Sequence, residues 1–278
     1  MTERTLADVI VERLTTWGVG RVFGYSGDGI NGFMGALRRT DGRVEFVQAR
    51  HEESAPFMAV GHAKYTGGVG VVTSTQGPGA VHLLNGLYDA KLDGVPVVAI
   101  VGQQSRTVLG SAYMQEIDLN ALFKDVASQF VQLVSAPEQV PMVLDRAFRT
   151  AKATSSPCVV IIPHDVQSAP APELEQLHGI VVTAPSWSAA AKSPRGEDLA
   201  AAAALLNSAE RVPSWWARVP GTPARKWLPW RKSLGPASPP ASWASPTWMR
   251  TCPSRWEPWG IWAPRPVPTF WAIATPSS

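Results

Sequence analysis

Short apolar runs alternate with longer segments of helical periodicity through the first 168 residues of this chain. The apolar runs predict strands at 22–23, 44–47, 69–73, 95–101, 130–134 and 159–162. The segments between them predict helices at 5–16, 29–39, 52–64, 78–91 and 137–153. Strands that alternate with helices in this way are typical of βαβ units, whose strands are parallel. We therefore predict an α/β fold over residues 1–168, a doubly wound parallel sheet with helices on both faces.

Ligands of such sheets bind at the carboxyl ends of the strands. The loops 24–29, 48–52, 74–79 and 102–116 are therefore predicted to form the functional site. Beyond this domain, residues 169–195 are rich in alanine and proline, which is typical of an inter-domain linker. Residues 196–211 begin a new alanine-rich helix. Residues 212–278 sustain neither a helical nor a strand period, and we predict that they are disordered.

The net charge of +3 is distributed unevenly between residues 1–211 and residues 212–278. Residues 212–278 carry 8 Lys and Arg against one acid, Glu257, and hold 10 of the 12 Trp. An ordinary disordered linker does not account for this segment, because disordered segments are poor in aromatic residues. Two interpretations stay open, a basic Trp-rich segment that binds nucleic acid or protein and a shifted reading frame. The composition favours the shifted frame.

The cellular compartment is predicted from three features that the sequence lacks: a signal segment, a membrane span and a set of paired cysteines. The first residues show no charged and then apolar signal segment, and no apolar run approaches the ~20 residues of a membrane span. The only cysteines are Cys158 and Cys252, which form neither a disulfide framework nor a zinc motif. We expect a cytoplasmic protein with no membrane partner and no nucleic-acid partner.

Two motifs point to a specific chemistry. The first is Arg50-His51-Glu52-Glu53, and the second begins at Gly77-Pro78-Gly79 and runs to Gly86. With the stretches 87–90, 96–102 and 115–118, they resemble the N-terminal, pyrimidine-binding domain of thiamine-diphosphate enzymes of the pyruvate oxidase and acetolactate synthase type. The resemblance covers residues 1 to about 211, and 196–211 then resembles the start of the family's central domain. Read one nucleotide out of frame, permitted codons for 247–265 can also encode a sequence similar to that central domain.

The resemblance implies roles for individual residues. Glu52 is implied to hydrogen-bond N1′ of the cofactor's aminopyrimidine and so to activate the cofactor. His82 and Gln115 are implied to lie near the reacting carbons. The implied cofactor-binding residues, besides Glu52, are Gly24, Tyr25, Ser26, Thr75, Gly77, Pro78, Gly79 and Asn85. Two alternatives stay open, that Glu52 is only an acid favoured at a helix N-terminus and that His82 is only a packed helix histidine.

The segment Gly27-Asp28-Gly29 imitates the Gly-Asp-Gly motif with which this superfamily binds Mg²⁺ and diphosphate. The family motif needs an Asn roughly 25 to 30 residues later, and none is present in 54–59, where that window falls. We therefore predict no metal site in this chain. Thiamine diphosphate is the expected cofactor, Mg²⁺ is expected to be bound outside this chain, and FAD is expected only in a longer, oxidase-type enzyme.

The sequence thus predicts the thiamine-diphosphate-binding domain of an enzyme that decarboxylates or ligates a pyruvate-like 2-oxo acid. The family implies a homo-oligomer, and we expect this chain by itself to be inactive. The alternative is a non-enzymatic α/β binding module that uses Trp215, Trp216, Arg225 and Lys226 to bind nucleic acid or protein. That alternative gives Glu52 and the Gly-Pro-Gly turn no role.

Overall fold

A computed structural model describes residues 4–172, 181–189 and 193–208. Six strands form one sheet in the order β2-β1-β3-β4-β6-β5, and every neighbouring pair is parallel. The strands are β1 (Arg21–Gly24), β2 (Glu45–Gln48), β3 (Gly70–Ser74), β4 (Val97–Gln103), β5 (Val131–Leu133) and β6 (Pro157–Pro163). The predicted α/β fold with a parallel sheet is confirmed.

The helices that connect the strands cover both faces of the sheet. They are α1 (Leu6–Thr16), α2 (Asn31–Arg39), α3 (Ser54–Thr66), α4 (Pro78–His82), α5 (Leu84–Leu92), α6 (Leu119–Phe123), α7 (Val140–Thr154) and α8 (His164–Ser168), with 3-10 turns at Asp28–Ile30 and Pro137–Gln139. A further helix, α9 (Gly196–Ser208), begins where the sequence predicted a new helix. Among the described residues, no helix has the length and apolar character that a membrane crossing requires.

Two hydrophobic cores lie on opposite faces of the sheet. Val98 and Ile100 of β4 join the core under α1, α2 and α7. Val97, Ala99 and Val101 of the same strand join the core under α3, α5 and α6. All seven residues of β4 are buried for this reason, which explains its continuous apolar sequence.

Several predicted boundaries differ from the observed ones. The predicted helix 78–91 is two helices, α4 and α5, which meet at Leu83. The predicted helix 52–64 begins at Ser54, so Glu52 lies in the turn before α3 rather than inside it. The short helices α6 and α8 were not predicted, because five residues hold too little of a period to recognise.

The first residues after α8 and residues 181–189 contact the sheet domain. Ala169 accepts a hydrogen bond from Leu6, and Thr183 bonds the buried carboxylate of Asp145. The domain boundaries proposed from the sequence stay a prediction. The tail at 212–278 lies outside the described residues, and so do its predicted disorder and the alternative binding residues Trp215, Trp216, Arg225 and Lys226.

Candidate functional site

The candidate site lies where the strand order reverses. The connection from β1 runs through α2 to β2 on one side, and the connection from β3 runs through α4 and α5 to β4 on the other. The carboxyl ends of β1 and β3 therefore border a crevice, which is the usual ligand site of an open α/β sheet. The turn that carries Glu52 follows β2, and the turn at Gly77 follows β3.

Glu52 and His82 meet at this crevice. Oε2 of Glu52 lies 3.2 Å from Nδ1 of His82. The Glu52 side chain is 16% exposed and that of His82 is 41% exposed. Among the described residues, this is the only hydrogen bond that the Glu52 carboxylate makes. The carboxylate is thus largely shielded from water, while its Oε1 is left without a protein partner in that part of the chain.

Close approach of α5 to α3 brings these two residues together. A Cβ atom on Gly86 of α5 would lie 2.5 Å from Cγ of Pro56 in α3. Only glycine allows this separation, because any side chain would push the two helices apart. The close spacing of α3 and α5 places His82, the last residue of α4, beside the turn that carries Glu52.

The turn after β3 requires its two glycines. Gly77 has φ +59°, and a Cβ atom there would lie 2.8 Å from Cβ of Gln115. A Cβ atom on Gly79 would lie 2.6 Å from Oγ of Ser74 and 3.5 Å from Oε1 of Glu52. Pro78 is exposed and occupies the first position of α4, where a missing N–H costs nothing. The two glycines therefore let the turn pack directly against Gln115, Ser74 and Thr75, and Gly79 brings its backbone beside Oε1 of Glu52.

Gln115 is brought to the same turn from the loop after β4. It is exposed and has φ +62°, and its Oε1 accepts a hydrogen bond from Nε2 of Gln76 at 3.3 Å. Its backbone passes directly over Gly77. The structure therefore places three of the predicted residues around one turn, with Gln115 on one side of Gly77 and the Glu52–His82 pair near Gly79.

A network of hydrogen bonds packs against the turn that follows β3. The Thr75 hydroxyl accepts from the backbone N–H of Gly29 at 3.0 Å and donates to Oε1 of Gln76 at 2.7 Å. Oδ1 of Asp28 accepts from Nε2 of Gln76 at 3.2 Å and shares the Gly29 N–H with Thr75. Gln76 was not predicted as a residue of the site. The available signal was a large amide residue at the end of a buried strand, where it is 1% exposed and must find partners.

Comparisons with known proteins relate the sequence of this part of the chain to one family. Residues 4–122 match the family described as thiamine pyrophosphate enzyme, N-terminal TPP binding domain. This part of the chain is a TPP-binding domain of that family. Relatives include protein YdaP of Bacillus subtilis, 41% identical over 212 residues. They also include pyruvate oxidase of Lactiplantibacillus plantarum, 41% identical over 157 residues, and acetolactate synthase isozyme 2 large subunit of Escherichia coli, 41% identical over 164 residues.

Each of these relatives aligns with the chain over only part of its own length. The alignments cover 76%, 56% and 59% of this chain, and 36%, 26% and 29% of YdaP, the oxidase and the synthase respectively. The chain thus spans about a third of the length of these relatives. The length of the YdaP alignment agrees with the roughly 211 residues over which the sequence showed its resemblance.

The remaining predicted residues lie at the edge of the candidate site. Gly24 packs against β3, since a Cβ atom there would lie 2.5 Å from the carbonyl oxygen of Thr73. Tyr25 is half-buried and Ser26 is exposed in the loop that follows. Asn85 donates to Oε1 of Glu53 rather than to Glu52, at 2.5 Å. Their predicted contact with cofactor stays a prediction.

His51 was not predicted as a functional residue. Its ring lies 4.4 Å from that of His82, centroid to centroid. One donor atom from each of His51, Glu52 and His82 lies within 4.8 Å of the others. The sequence signal was a histidine directly before the glutamate, but only the fold brings His82 to it.

Proposed function

We propose that this chain provides the aminopyrimidine-binding part of a thiamine-diphosphate-dependent enzyme that acts on a pyruvate-like 2-oxo acid. The observation that carries this proposal is the Glu52 carboxylate, largely shielded from water at the strand-order reversal, with Gly79 of the Gly-Pro-Gly turn beside its Oε1. A ring nitrogen that shares a proton with a carboxylate needs this poorly solvated setting, because water would otherwise compete for the proton.

The residues of the site fit the cofactor's aminopyrimidine. Oε1 of Glu52 is available for a hydrogen bond to a ring nitrogen, while His82 holds Oε2 and so fixes the orientation of the carboxylate. Gly79 brings the backbone of the turn beside Oε1 of Glu52, and Gln115 packs against the same turn at Gly77. When bound, thiamine diphosphate supplies a nucleophilic carbon for attack on the carbonyl of a 2-oxo acid. The chain's part is to orient the ring and to hold a proton at Glu52.

The diphosphate and Mg²⁺ are proposed to be held by a domain outside these residues. Oδ1 of Asp28, the acid of the Gly27-Asp28-Gly29 segment, already accepts hydrogen bonds from Gln76 and Gly29 within the protein, which weighs against this oxygen as a cation ligand. Since charged contacts to diphosphate contribute much of the affinity for such a ligand, this chain alone is proposed to bind the cofactor weakly and to be inactive. FAD, a homo-oligomeric assembly and a cytoplasmic location are proposed only for the complete enzyme.

A comparison of two ligands tests the proposed role of Glu52. The full chain is titrated by calorimetry with thiamine and with an analogue in which C–H replaces N1′ of the ring. A hydrogen bond to a charged partner contributes about 1.5–3 kcal/mol, so we expect thiamine to bind roughly tenfold or more tightly. Equal affinities would show that Glu52 does not bind N1′. In a separate assay, steady decarboxylation of pyruvate by the chain with Mg²⁺ and cofactor would contradict the proposed inactivity.

A further inference from the structure

The cluster of His51, Glu52 and His82 contains the donor atoms of a transition-metal site. We propose that these three residues, the His–Glu–His cluster, bind a zinc-class divalent cation when the aminopyrimidine is absent. The metal site follows from these residues alone. That the cation excludes the cofactor is a second step, and this step rests on the function proposed above.

The spacing of the donors suits a small cation. Tetrahedral Zn²⁺ with bonds of about 2.0–2.2 Å keeps its ligand atoms roughly 3.3 Å apart. Nδ1 of His82 and Oε2 of Glu52 are already 3.2 Å apart. The third donor, from His51, lies within 4.8 Å of both. Since 51% of the His51 side chain is exposed, a rotation of this side chain can close the remaining distance.

The chemistry of the donors selects the cation. Two imidazoles and one carboxylate favour Zn²⁺, Co²⁺, Ni²⁺ and Cu²⁺, whereas Mg²⁺ and Ca²⁺ prefer sites made of oxygen ligands. Three protein ligands also leave a fourth position open to water or substrate. The single formal charge of Glu52 partly offsets the charge of the ion, and the Glu53 carboxylate, whose Oε2 is 3.9 Å from Nδ1 of His51, adds a second negative group nearby.

Metal binding would remove the group on which the proposed function depends. A cation bound at Oε2 of Glu52 offsets the negative charge with which Oε1 of the same carboxylate would hold a proton shared with the ring nitrogen. We therefore infer that zinc-class cations prevent binding of the aminopyrimidine at this site. Mg²⁺ should not do so, because its ligand preference does not match the His–Glu–His cluster.

The first test measures metal binding alone. The full chain without cofactor is titrated with Zn²⁺ by calorimetry and with Co²⁺ by visible absorption, which reports tetrahedral coordination directly. We expect His51→Ala and His82→Ala each to weaken binding by roughly tenfold or more, since loss of even an indirect partner of a metal costs that much. The control is His164→Gln, which changes an exposed histidine at the start of α8. Circular dichroism confirms that each variant is folded.

Two results would overturn the metal site. One is a wild-type chain that shows no Zn²⁺ binding and no Co²⁺ absorption. The other is unchanged binding in both cluster variants, which would place the ion elsewhere in the chain. Either result leaves the thiamine titration, and hence the proposed function, untouched.

The second test measures competition. Thiamine without its diphosphate is titrated into the chain with and without saturating Zn²⁺, so that the ion cannot act by binding phosphate. We expect the affinity for thiamine to fall when Zn²⁺ is present in wild type, and we expect His51→Ala to need a roughly tenfold higher Zn²⁺ concentration for the same fall. Unchanged thiamine binding on a chain that demonstrably holds Zn²⁺ at the cluster would contradict the competition.

Discussion

Nδ1 of His82 lies 3.2 Å from Oε2 of Glu52, although 30 positions separate the two residues in the chain. Glu52 lies in the turn between β2 and α3, and His82 ends the short helix α4 after β3. These elements meet because α3 and α5 pack at the distance that Gly86 permits. The contact fixes one oxygen of the carboxylate, and the other has no hydrogen-bond partner among residues 4–172, 181–189 and 193–208.

Replacement of Gly79 by alanine tests how closely the turn beside Glu52 is packed. The added Cβ would lie 2.6 Å from Oγ of Ser74 and 2.8 Å from Cγ2 of Thr75. We expect a loss of about 1–3 kcal/mol of unfolding free energy, as is usual for overpacking, together with weaker thiamine binding. The measurements are urea unfolding and calorimetry.

Gly61→Ala is the matched control. Gly61 lies in the interior of α3, and a Cβ atom there would meet no atom within 4 Å, so alanine should fit. Alanine is the better helix former, and we expect a gain of about 0.5–1 kcal/mol. Equal effects of the two substitutions would contradict the close packing described at Gly79.

Asp145 is predicted to be the most sensitive charged residue of the sheet domain. Its side chain is fully buried in α7, where it accepts hydrogen bonds from Arg13 at 3.0 Å and Trp17 at 2.9 Å and also contacts Thr183. Asp145→Ala leaves the partly buried guanidinium of Arg13 without its carboxylate partner and with only the carbonyl oxygen of Thr183 as acceptor, and we expect a loss of about 3–5 kcal/mol. Urea unfolding of wild type and Asp145→Ala measures this loss of unfolding free energy.

The control for Asp145 is an ion pair on the surface. Glu45 and Arg21 are 2.7 Å apart, with both side chains more than half exposed. We expect Glu45→Ala to cost less than about 1 kcal/mol. If Asp145→Ala cost no more than this control, the residues around Asp145 would not depend on its charge.

Cys158 is predicted to make the stability of the fold depend on pH in the alkaline range. Burial raises the pKa of this thiol from 9.0 to about 12. Below pH 9.0 the folded and unfolded chains hold the same proton, so the thiol adds no pH dependence there. Between 9.0 and about 12 the unfolded chain releases a proton that the folded chain keeps, and stability should fall by about 1.4 kcal/mol per pH unit.

The Cys158→Ala variant isolates that contribution. Unfolding by urea under reducing conditions is measured for both chains at pH values on either side of 9.0. We expect the stability difference between wild type and variant to be constant below this value and to shrink above it. A difference that is independent of pH would show that the Cys158 thiol is not held protonated by burial.

The sequence predicted the fold well because the fold depends on periodicity. The continuous apolar runs of β4 and β6 required cover on both faces, and this alone indicates a parallel sheet between helices. Short elements were harder. The five-residue helix α6 begins at an ordinary cap, in which Oδ1 of Asp118 accepts from the backbone N–H of Ala121 at 3.0 Å, but a single aspartate is a weak signal by itself.

The sequence named candidate site residues one by one, but it did not give their arrangement. The motifs identified Glu52, Gly77 and Gly79, and the structure brings all three to one crevice. The hydrogen bond between Glu52 and His82 was not predictable, because it depends on the packing of α3 against α5. The nearness of His51 to His82 has the same origin. Local sequence determines which side chains a turn presents, whereas contacts between turns require the fold.

The central claim is that Glu52, and not its neighbour, binds the aminopyrimidine. The most direct measurement is calorimetric titration of the full chain with thiamine diphosphate and Mg²⁺, comparing wild type, Glu52→Gln and Glu53→Gln. Glu53 is the matched control, since its side chain is 45% exposed and bonds Asn85. We predict that Glu52→Gln weakens binding by roughly tenfold or more while Glu53→Gln changes it by less than about twofold. Equal affinity of wild type and Glu52→Gln would contradict the account.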